Sequence, residues 1–109
     1  MWIKSPNEVR ILDKKRYYKI IKAICDENNI QTEELIHILQ NKNFKYIFLL
    51  ILKNNNCIEY DELQKLFNLK TKKSINYGCK KAKESLLINK EFRNLYYEYE
   101  KNIYEKIQE

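Results

Sequence analysis

At 109 residues, with one glycine, one proline and 44% apolar content, the chain has room for one domain. It lacks the turn-formers that a β-sandwich or barrel requires. The formal net charge is +6, and the longest apolar run, Tyr46 to Leu52, is seven residues between two lysines. That is far short of a membrane span.

The opening residues, Met1-Trp-Ile-Lys-Ser-Pro6, lack the basic head and apolar stretch of a signal peptide. Ser5-Pro6-Asn7-Glu8 is a capping box with proline at the first helical position. It predicts a helical segment, with an interruption near Asp13. Tyr17, Ile20, Ile21 and Ile24 then recur at helical spacing until Asn28-Asn29. Thr32 is the expected cap of the next helix, which carries Leu35, Ile36, Ile38 and Leu39. Asn41-Lys42-Asn43 reads as a break. A third helix over about 44–53 is nearly apolar all round, so it is expected at the centre of the fold.

After the Asn54–Asn56 loop, Tyr60, Leu63, Leu66 and Phe67 form a two-turn helical stripe. A short turn, Asn68-Leu69-Lys70, leads into a helix over about 71–87. That helix has Ile75, Gly78, Cys79, Ala82 and Leu86 on one face. The last helix, about 90–107, aligns Phe92, Leu95, Tyr96, Tyr99 and Ile103, and this aromatic stripe reads as core. Tyr97 and Tyr104 fall off the stripe. The expected fold is all-α: residues 1–109 as a single compact bundle of about six helices, with a helix-turn-helix at about 58–87.

Cys25, Cys57 and Cys79 are widely separated, and His37 is the only histidine. Neither a metal site nor another cofactor is expected, and the thiols read as reduced core residues of a cytoplasmic protein. No nucleophile–base pair or carboxylate pair suggests an enzyme.

The charge is concentrated. Residues 65–83 carry seven lysines (65, 70, 72, 73, 80, 81 and 83) and no acid, whereas 1–64 net +1 and 84–109 net −2. Surface helices usually mix signs, because like charges one turn apart repel. An uncompensated basic segment over a helix, a turn and a second helix predicts binding to a polyanion, with double-stranded DNA the expected partner.

The same stretch resembles a known family. Asp61-Glu-Leu-Gln-Lys-Leu-Phe-Asn-Leu-Lys-Thr-Lys-Lys-Ser-Ile-Asn-Tyr-Gly-Cys-Lys-Lys81 is similar, without a gap, to the signature of the DnaA C-terminal DNA-binding domain, also called domain IV. Phe44-Lys-Tyr-Ile-Phe-Leu-Leu-Ile-Leu-Lys53 and Ile30-Gln-Thr-Glu-Glu-Leu35 resemble two upstream elements in the same order. The likeness spans about residues 14–105. It implies a Trp-repressor-like helix-turn-helix on duplex DNA, acting as a regulator or accessory factor in replication, transcription or a mobile element. The family's Asp-His-[Ser/Thr]-Thr falls on Thr71, Lys72, Lys73 and Ser74, its Arg-Gln pair on Lys45 and Tyr46, and its two turn glycines on Asn68 and Leu69. Gly78 is the only glycine, so no phosphate-cradling loop accompanies the domain.

Lys70, Thr71, Lys72 and Lys73 stand at the positive end of the predicted recognition helix, where phosphates are favoured. Ser74, Asn76 and Tyr77 fall between its core positions; Asn suits adenine, and Tyr suits sugar or a thymine methyl. Lys80 and Lys81, a turn further on, and Lys45, opening the third helix, are expected phosphate contacts. The alternative reading is a helical adaptor that uses the basic face on an acidic protein partner. Salt-dependent binding to mixed-sequence DNA separates the two.

Overall fold

The structure, a computed structural model, describes residues 6–107, with side chains from Lys15 onward. Every secondary-structure element among the described residues is helical. Helix α1 spans Pro6–Glu27, and a 3-10 turn at Thr32–Glu34 leads into the one-turn α2, Leu35–Ile38. Helices α3 (Lys42–Asn54), α4 (Tyr60–Leu66), α5 (Lys72–Ile88) and α6 (Lys90–Ile107) follow. Ser5 and the Glu8 side chain, on which the expected capping box depends, lie outside what is described.

Three boundaries differ from the expected ones, each for a local reason. The helix α1 runs through Asp13 without interruption, since nothing there lacks an amide donor or forbids αR backbone. Gln31, not Thr32, is the second cap: its backbone amide donates to the Glu34 carboxylate at 3.1 Å, and its carbonyl accepts from the Glu34 amide at 3.0 Å. Asn41 does not break the chain. Its side chain accepts from the Phe44 amide at 3.2 Å and starts α3 two residues early.

The α3 helix is the hub. Ile47 through Leu52 are all buried, and α3 packs on both α5 and α6, while α1 lies along α6 and α4 against α5. At 100° per residue, Ile75, Gly78, Cys79 and Ala82 form the buried face of α5, with Leu86 half-buried at its edge. Gly78 lies where α5 meets α3: a Cβ there would come within 2.9 Å of Leu49 Cδ1.

Polar ties fix α6. The buried Tyr96 hydroxyl accepts from Asn54 at 2.6 Å and donates to Glu100. Tyr99 accepts from Asn28, and Tyr104 from Asn55 at 3.3 Å. The aromatic stripe is therefore core, as expected, except that Leu95 faces solvent. Three helices end in the same way. Asn29, Asn56 and Asn68 have φ near +55°, and each is followed by an amide that reaches back to the carbonyl five residues earlier (Ile30 to Cys25, Cys57 to Leu52, Leu69 to Gln64). These are Schellman turns with asparagine in the left-handed position usual for glycine. All three cysteines are buried as thiols.

Candidate nucleic-acid interface

The α4 helix, the turn and α5 occupy the segment read as a helix-turn-helix, and α4 packs against α5. The left-handed residue the turn requires is Asn68, one of the two positions where the resembled family carries glycine. Leu69 then returns its amide to Gln64 at 2.8 Å, and Thr71 caps α5 by accepting from the Ser74 amide at 3.3 Å. The Thr71 and Ser74 hydroxyls also meet at 3.1 Å, so both serve the cap first.

With its core face turned inward, the remaining half of α5 collects Lys72, Lys73, Asn76, Tyr77, Lys80 and Lys83, all exposed. Lys70 is exposed in the turn before it. The other candidates fall into three groups. Lys45, Thr71, Lys73, Ser74 and Tyr77, with Leu69, line one shallow cleft of about 440 Å³. Lys45 reaches it from α3, its ammonium 5.2 Å from the centre of the Phe67 ring. Lys45, expected as a phosphate contact, thus lies beside the start of α5.

A second group stands on the α4 side. The Tyr60 hydroxyl donates to Asn76 Oδ1 at 2.6 Å, and Lys72 Nζ lies 5.6 Å from the centre of the Tyr60 ring. Tyr60 read from sequence only as part of a helical stripe. Its pairing with a residue sixteen positions later has no local signal.

Lys80 and Lys81 form the third group, and they differ. Lys80 is exposed, whereas Lys81 pairs with Glu84 at 3.4 Å and lies 5.5 Å from the Tyr77 ring centre. The Glu84 carboxylate raises the Lys81 pKa. Glu84 sits one residue beyond the acid-free segment, so the charge count alone misses this partner. A half-exposed pair of this kind is weak and yields to a phosphate at little cost.

A larger cleft, about 570 Å³, lies at the other end of α3, between Lys15, Arg16 and Lys19 of α1 and Asn54–Asn56. There the Arg16 guanidinium bonds Asn55 Oδ1 at 2.8 and 3.3 Å. Cations at this place complement the negative C-terminal end of α3, which accounts for them structurally. Among the described residues, no three His, Cys, Asp or Glu side chains come together as a metal site, and no helix is long and apolar enough to cross a membrane. No protein-family model, curated protein or solved structure matches this chain.

Proposed function

We propose that this chain binds double-stranded DNA, with α5 as the recognition helix, and serves as a regulator or accessory factor in replication, transcription or a mobile element. The observation that carries this reading is the convergence of Lys45 from α3 with Thr71, Lys73, Ser74 and Tyr77 in one open cleft. That cleft lies at the positive N-terminal end of a helix whose exposed half is basic. Phosphates would meet Lys45, Lys70, Lys72, Lys73 and Lys80, with Lys81 released from Glu84. Tyr77, 62% exposed, is free to pack on a sugar or a thymine methyl. The resemblance to the DnaA C-terminal domain agrees with the use of α5.

The test is duplex binding against salt. Each phosphate neutralised contributes about −0.9 to the slope of log K against log salt, so three to five contacts give roughly −3 to −5. Lys80→Ala should flatten the slope by about one and weaken all sequences alike. Lys22→Ala, on α1, should leave it nearly unchanged. Equal effects from the two would mean diffuse attraction, and an acidic protein partner would then be the better reading.

A further inference from the structure

We propose that Tyr60 is a positioning residue that sets base preference, by holding Asn76 so that its amide N–H2 is the group offered to the groove. This rests on the DNA-binding reading above.

An exposed asparagine in mid-helix ordinarily samples several rotamers and offers donor and acceptor alike. Asn76 does not stand alone in this way. Its carbonyl oxygen accepts from the Tyr60 hydroxyl at 2.6 Å, while among the described residues no hydrogen bond engages its nitrogen. Tyr60 is itself well held. It is the first residue of α4, half-buried, and packed against the core. The hydroxyl therefore reaches Asn76 from a fixed base rather than from a second mobile side chain. Ordering is bought before any ligand arrives, which lowers the entropy lost on contact.

The chemistry of the free group follows. With one of its two Oδ1 lone pairs taken by Tyr60 and the amide held in that orientation, the side chain presents its N–H2 first, so it favours a base whose major-groove edge presents an acceptor: purine N7, guanine O6 or thymine O4. It disfavours cytosine, whose edge offers only the N4 amino donor. The two-bond contact with adenine, which also needs the oxygen, is weakened. Tyr60 serves Lys72 as well, since the ammonium lies over its ring. The ring thus seats a phosphate contact, while the hydroxyl orients a base contact.

Those two roles are separable by substitution. A duplex selected from random sequence is bound by the wild type, Asn76→Ala, Tyr60→Phe and Tyr60→Leu, with each base pair of the site varied in turn. Asn76→Ala should erase discrimination against cytosine at one position, a loss of about ten-fold. Tyr60→Phe keeps the ring. It should lose most of that same discrimination while affinity for random duplex, salt slope and unfolding midpoint stay unchanged. Tyr60→Leu should also flatten the salt slope, because Lys72 loses its seat. If Asn76→Ala loses the preference and Tyr60→Phe keeps it, the proposal is overturned. Duplex binding without preference at any position overturns it too, yet leaves the DNA-binding reading standing. The absence of salt-dependent duplex binding overturns both.

Discussion

Gly78 shows how much one missing side chain decides. An alanine there would gain about 1 kcal/mol of helix propensity, but its Cβ would lie 2.9 Å from Leu49 Cδ1 in a buried contact. The obstacle is the end of a leucine side chain, which has some freedom to turn. Gly78→Ala should therefore change stability by less than about 1 kcal/mol, the two effects opposing each other. Gly78→Val adds bulk that Leu49 has no room to accept, and should cost about 1–3 kcal/mol in urea unfolding. Equal midpoints for the two variants would show that Leu49 does not limit the approach. The substitution also bears on the cleft, because Lys45 rides on α3 and Lys73 on α5. At this scale the sequence was readable where periodicity spoke: Ile75, Cys79 and Ala82 are buried as their spacing implied. It was unreadable where a contact joins distant positions, as between Tyr60 and Asn76, or Asn54 and Tyr96.

The helices were legible as elements, and their ends were less so. Capping depends on which polar side chain wins a particular amide: Glu34 takes that of Gln31, and Asn41 takes that of Phe44. The turn between α4 and α5 is the clearest case of a departure that is conservative in physical terms. Asn68 takes φ +54°, a conformation that asparagine tolerates and that most other residues resist by roughly 1–2 kcal/mol. Asn68→Ala should destabilise the protein by about 1 kcal/mol, whereas Asn68→Gly should match or exceed the wild type. Chemical denaturation of the three proteins decides it. A neutral alanine variant would mean that the turn is not held in the left-handed region. The α5–α6 corner is set differently. Asn89 caps α6 by accepting from the Phe92 amide at 3.0 Å, while Arg93 donates to the Leu86 and Leu87 carbonyls, each at 2.9 Å. That brace closes α5 and leaves Ile88 84% exposed on a fixed corner.

Across the whole molecule, the buried tyrosines tie stability to alkaline pH. Burial raises the hydroxyl pKa values of Tyr17, Tyr96 and Tyr99, so each exceeds its unfolded value near 10. Above that pH the unfolded chain loses these protons before the native one does. Their contribution is thus complete below about pH 10 and is lost as pH rises further. Burial raises the Cys25 and Cys79 thiols as well, which starts the decline about one unit lower. The unfolding midpoint should hold steady from pH 7 to about 9 and then fall. Tyr17→Phe should make the fall shallower. A midpoint flat to pH 11 would contradict the burial of these groups. The charge pattern, by contrast, was only partly legible from the chain. The basic segment shows in a simple count, but that count misses Glu84 beside Lys81 and does not reveal Lys45 joining the cleft from α3.

The three asparagine turns have a consequence outside the folded state. Every glycine codon begins with two guanines, while asparagine is written with two adenines followed by a pyrimidine. A chain that ends α1, α3 and α4 on Asn29, Asn56 and Asn68 obtains its left-handed residues without any of those guanine pairs. The backbone cost of asparagine over glycine is modest at such positions. Tight helix endings of this kind therefore remain open to a gene whose base composition drifts towards adenine and thymine.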